Sequence, residues 1–126
     1  MTNVDAATSG QARPKTEGPI PPDGIAILID ETGRPYCDPY YAHAHRGDTV
    51  RWHFQGRWVV IFQKRTPLES GQLFVQGSGN QPPVRIAEDA QHRHHYPYSL
   101  IAVRDEDGAE RSPIYFDLAC PEIIIE

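Results

Sequence analysis

The chain has 126 residues, a net charge of −5, 39% hydrophobic residues and 23% charged residues, which suits one folded domain and leaves little chain for a second core. Lys and Arg number 8 against 7 Asp and Glu through residue 66, then 4 against 10 beyond it, so no basic face is available and a nucleic-acid partner is not expected. Apolar runs such as Ile25–Ile29 are far too short to span a membrane and the first twenty residues contain none, so the expectation is a cytoplasmic protein without a membrane partner.

Residues 1–22 are rich in Ala, Thr, Ser and Gly and carry Pro14, Pro19, Pro21 and Pro22. With little apolar surface to offset the entropy of ordering, they are predicted to form a flexible tail, and residues 23–126 a single domain. Ile25–Ile29 is a β-rich run stopped by turn chemistry from Asp30 to Pro35, where Gly33 tolerates positive φ and Pro35 fixes its own. Tyr40–His45 is a second predicted strand and Arg46-Gly47-Asp48 a turn. From Thr49 to Gln55 the residues alternate cleanly: Val50, Trp52 and Phe54 on one face, Arg51, His53 and Gln55 on the other. That period of two marks a strand with one dry and one wet face.

Trp58–Phe62 is continuously apolar and is predicted to be a strand covered on both faces. Leu73–Val75 and Val84–Ile86 are weaker strands. Tyr98–Val103 is a strong one, and Asp107-Gly108 is a favoured hairpin turn leading to a return strand over Ile114–Leu118. The chain then ends in Ile123–Ile125, expected to be an exposed strand that pairs with a neighbour by strand addition. About eight strands and no amphipathic helix predict an all-β domain, an antiparallel sandwich or small barrel.

The segment Gly47-Asp48-Thr49-Val50-Arg51-Trp52 resembles a strand opening found in cupredoxin-like sandwiches. Tyr96, Tyr98 and Ser99, the Asp-Gly turn and the terminal Pro-Glu-Ile-Ile-Ile strand are similar to small bacterial cupredoxin-like or immunoglobulin-like domains. This resemblance covers residues 25–126 and implies a scaffold more than a function. Blue-copper cupredoxins carry Cys, His and Met ligands on a C-terminal loop. Here no His follows Cys120 and the only methionine is Met1, so that ligand loop is missing and no cofactor follows from the resemblance.

The six histidines are His43, His45, His53, His92, His94 and His95. A His-x-His on a strand sends both rings to one face, so His43 with His45 and His92 with His94 are candidate ligands for Zn, Cu or Ni, with Asp48 or Glu88 as added carboxylates. The competing reading makes His92–His95 a polar turn and leaves His53 on a wet face. The carboxylate that a cupin site needs is absent, because Thr49 and Val50 stand at its offset. Tyr36, Tyr40, Tyr41 and Tyr96 are candidate ring residues for stacking on a carbohydrate or anchoring a protein partner, with core packing as the alternative. Cys37 and Cys120 are too far apart for a CxxC pair and are expected as free thiols or as one long-range disulfide. No hydrolase elbow, phosphate loop or complete calcium loop is present. The reading of function is therefore a non-catalytic binding or interaction module, its partner a protein, a second copy or a carbohydrate. The alternative is a transition-metal protein built on the two histidine pairs.

Overall fold

The computed structural model describes residues 15–80, 83–104, 114–117 and 121–126. In chain order the strands are β1 (Glu17–Pro19), β2 (Ile25–Ile29), β3 (Pro35–Asp38), β4 (Tyr41–Ala44), β5 (Thr49–Val50), β6 (Trp52–Phe62), β7 (Phe74–Asn80), β8 (Val84–Arg85), β9 (His95–Val103), β10 (Ile114–Asp117) and β11 (Glu122–Ile125). The fold is all-β. Among the described residues no helix is long and apolar enough to cross a membrane.

One sheet of nine strands runs β1-β4-β11-β9-β6-β2-β3, with β10 added beside β9 and β7 beside β6, while β5 and β8 form a small separate ribbon. The sheet is mixed, which corrects the expectation of antiparallel pairing throughout: β1 with β4, β4 with β11, and β2 with β6 are parallel. Strand β9 joins two regions. Its first residues, His95–Pro97, pair with β11, and Tyr98–Val103 pair with β6. Contacts of β3 with β9 and β10 bring the sheet close to closing on itself as a barrel.

Two predicted strands merge into β6. The 11-residue strand is continuous but shifts register against β7 between His53 and Arg57. Gly56 sits in that irregularity with φ of 148°, and a Cβ there would lie 2.3 Å from the Val103 carbonyl oxygen. A side chain at this position would collide with the main chain of β9, so glycine lets the two strands meet at the bend.

Inward residues of β6 (Trp52, Phe54, Trp58, Val60, Phe62) and β9 (Tyr96, Tyr98, Leu100, Ala102) build the core with Ile25, Ile27, Ile123 and Ile125. At its centre Trp52 lies 5.9 Å from Trp58 and 5.7 Å from Tyr98, ring to ring. The Trp52 indole N–H donates to the Tyr98 hydroxyl at 3.3 Å. Burial pushes the Tyr98 pKa well above its ordinary value, and the Cys37 thiol beside the hydroxyl adds to the shift. Cys37 is buried on β3. Cys120, Asp107-Gly108 and Leu118 lie outside the described residues, so the expected disulfide and hairpin turn do too.

Two expectations about the chain ends change. Glu17–Pro19 is a strand, Ile20 packs against the core, and the Tyr41 N–H donates to the Thr16 carbonyl at 2.9 Å. The part of the predicted tail from Lys15 to Pro22 therefore belongs to the domain. Strand β11 is no exposed edge: it is paired with β9 on one side and β4 on the other, and Ile123, Ile124 and Ile125 are all buried. Ile123 and Ile125 point into the core, whereas Ile124 lies on the outer side, buried in the row between His43 and His95.

Candidate functional site

Because directly paired residues share a face of the sheet, the registers decide which side chains lie together. Strands β10, β9, β6 and β7 are neighbours in that order. One outward row contains Phe116, Ile101, Val59 and Gln76. The row on one side of it contains Ile114, Val103, Arg57 and Ser78, and the row on the other side contains Ser99, Ile61 and Phe74. Seven of these positions are large and apolar. Phe74, Ile114 and Phe116 are 63%, 67% and 59% exposed, and the Val59, Ile61, Ile101 and Val103 side chains between them are half-buried. The prediction that Trp58–Phe62 is covered on both faces is corrected: Trp58, Val60 and Phe62 point into the core, whereas Val59 and Ile61 point to this outer face.

The histidines lie on the other part of the sheet. On β4, Ala42 and Ala44 point inward, so Tyr41 and His43 face out and His45 follows on the same side, as its spacing predicts. His43 is held between two carboxylates. Its Nε2 is 2.6 Å from Glu17 on β1, and its Nδ1 contacts Glu126 immediately after β11. Neutral imidazole carries one N–H, so hydrogen bonds to carboxylates at both nitrogens require the cation. The Glu17 carboxylate, followed by that of Glu126, raises the His43 pKa above its ordinary value against an opposing effect of burial. His43 and Glu126 close one side of an open cleft of about 570 Å³, walled by Gly18–Pro22 and by His45, Asp48 and Thr49.

The remaining histidines are dispersed. His92 Nδ1 lies 2.7 Å from the main-chain oxygen of Glu126. The His94 ring packs against Tyr96 with centroids 4.7 Å apart, and His94 lines a different groove, of about 400 Å³, with Lys64, Arg65 and His95. His95 Nδ1 lies 2.7 Å from Glu122. Thus His43 and His92 meet the same residue, Glu126, at different atoms, while His43 with His45 and His94 face separate cavities. Among the described residues no group of three or more His, Cys, Asp or Glu side chains is gathered to hold a metal ion.

The tyrosine candidates divide by register. Tyr40 and Tyr96 are buried, with 1% and 5% exposure, and cannot present open ring faces. Tyr96 belongs to the inward series of β9, and Tyr40 is packed edge-on against Tyr41 at 4.9 Å. Tyr36 and Tyr41 are half-buried. The apolar residues at Ile114, Phe116 and Phe74 were not among the sequence candidates. Their signal was the apolar character of both alternating series in Trp58–Phe62, together with Ile114 and Phe116 two residues apart on the predicted return strand. Comparison with protein-family models, curated proteins and solved structures finds no match for this chain.

Proposed function

We propose that the domain is a non-catalytic interaction module, on a cupredoxin-like or immunoglobulin-like scaffold, which docks a protein partner against the outer face of β10-β9-β6-β7. One observation carries this reading: seven apolar side chains are contiguous across four strands, and three of them are more than half exposed. Scattered surface apolar residues are ordinary, but a contiguous patch marks a surface made to lose water against a partner. Arg57 is the only charged residue in those outward rows, consistent with the depletion of charge in the centre of protein interfaces.

The test uses a dye that reports accessible apolar surface, 8-anilinonaphthalene sulfonate, with the folded chain and a Phe74→Ser/Phe116→Ser variant. The expected result is saturable binding to the native protein and its loss in the variant, with cooperative unfolding kept in both. Absence of native-state binding, or equal binding by the variant, overturns the reading. The metal alternative through His43, His45, His92 and His94 has weaker support, since both ring nitrogens of His43 already face carboxylates. A zinc titration separates the two: the metal reading requires one tightly held ion per chain.

A further inference from the structure

The outer face has the shape of half a sandwich. Its inner side is filled by the core, and the described residues place no second layer on the outside. Four strands at about 4.8 Å spacing and three outward rows at about 6.7 Å intervals cover roughly 19 by 20 Å. That footprint is about 380 Å² for each copy, and with side-chain relief two copies bury on the order of 1,000 Å², the size of a weak, transient interface. One copy of the same face therefore suffices as the missing layer, at a separation of about 10 Å.

The pattern is also self-complementary. A two-fold axis parallel to the strands, running between β6 and β9, exchanges β6 with β9 and β7 with β10. Within the middle row this lays Ile101 of each copy over Val59 of the other and Phe116 over Gln76. Phe74 then falls beside Phe116 of the second copy, so large rings do not stack on their own equivalents. Arg57 lies in a marginal row opposite Val103, where its head can reach water while its stem covers apolar surface. The net charge of −5 on each chain opposes association weakly and is screened by salt.

From these observations we infer that the chain forms a weak, isologous homodimer by packing the outer faces of β10-β9-β6-β7 against each other. This inference deepens the interaction-module reading and rests on it. Sedimentation velocity of the full chain from about 5 to 500 µM, at low and moderate salt, tests it in the range expected of an interface of that size. Expected are a reversible monomer–dimer equilibrium, stronger in salt, and at least about tenfold weakening in Phe74→Glu and in Phe116→Lys. Mixing those two variants is expected to restore a heterodimer, because one native Phe74–Phe116 contact returns and the other becomes an ion pair. A dimer indifferent to both variants, or variants that do not recover on mixing, overturns the arrangement. A wild-type chain that stays monomeric overturns self-association. In that case dye binding at the same face decides the rest: binding lost in the Phe74→Ser/Phe116→Ser variant keeps the interaction module with a different protein partner, and no native-state binding removes both.

Discussion

The His43 contacts should make the stability of the domain depend on pH in a direction that can be worked out beforehand. His43 is replaced by Gln, which is neutral at every pH and cannot satisfy a carboxylate on each side as the imidazolium does. The His43 side chain is 25% exposed, and its partners Glu17 and Glu126 are 60% and 44% exposed, so each pair is discounted for solvent screening to about 0.5 kcal/mol and both together to about 1 kcal/mol. In a domain of this size that is about 4 °C in Tm. The pKa of His43 is raised in the folded state above its ordinary value of 6.5. Its contribution is therefore fully present below pH 6.5 and is lost as pH rises through the higher folded value. The other groups near this pair, His45 and Asp48 in the same cleft and His92 on the Glu126 carbonyl, are present in both wild type and variant. Thermal unfolding is followed at pH 6 and pH 9 by the fluorescence of buried Trp52 and Trp58. The Tm advantage of wild type over the variant is expected to be about 4 °C at pH 6 and to shrink at pH 9. A gap that is constant or grows with pH refutes the reasoning. Hydrogen exchange adds a local readout: the amide of Tyr41, bonded to the Thr16 carbonyl, should lose protection with β1 as His43 deprotonates.

Gly56→Ala places a methyl group against the Val103 carbonyl at the β6 bend and is expected to cost about 2–4 kcal/mol in urea unfolding; a loss below 0.5 kcal/mol contradicts the close-approach argument. Ile125→Ala, at a fully buried site, should cost about 2–5 kcal/mol, whereas a strand waiting exposed for a neighbour would lose almost nothing. Tyr98→Phe removes the acceptor for the Trp52 indole N–H and should lower stability by about 1 kcal/mol, read from denaturant midpoints at unchanged slope.

Most strands were legible because their residues alternate. The series Val50, Trp52, Phe54 needs no tertiary knowledge to place its dry face, and the spacing of His43 and His45 fixes their shared side. The chain of β6 through Gly56 was harder to read, since a glycine between two apolar runs looks like a break until the opposing Val103 carbonyl is known. Parallel pairing of β1, β4 and β11 depends on contacts distant in sequence and leaves no local mark. Glu17–Pro19 has only three residues and two prolines nearby within its run to Pro21, so its order comes from β4 and the His43 contacts rather than from its own propensity. Nothing local separates the half-buried tyrosines from the buried ones: register decides exposure, and it sends Tyr96 inward with Tyr98 and Leu100.

The outward apolar residues could be read simply as β-formers chosen for strand propensity, since Val, Ile and Phe suit strands wherever they lie. The other part of the same sheet argues against that. Its outward rows hold Glu17, Tyr41, Glu122 and Pro97, and then Pro19, His43, Ile124 and His95. Those strands form while carrying charges, imidazoles and prolines on their outer side. Strand β9 makes the comparison within one element: its outward positions are His95 and Pro97 where it pairs with β11, then Ser99, Ile101 and Val103 where it pairs with β6. The change in polarity falls where β9 passes from one neighbour to the other, and the residues paired with Ile101 on β10 and β6, Phe116 and Val59, are apolar as well. Strand propensity acts residue by residue and predicts no such boundary. A surface that must exclude water against a partner does, because its residues have to be contiguous across strands.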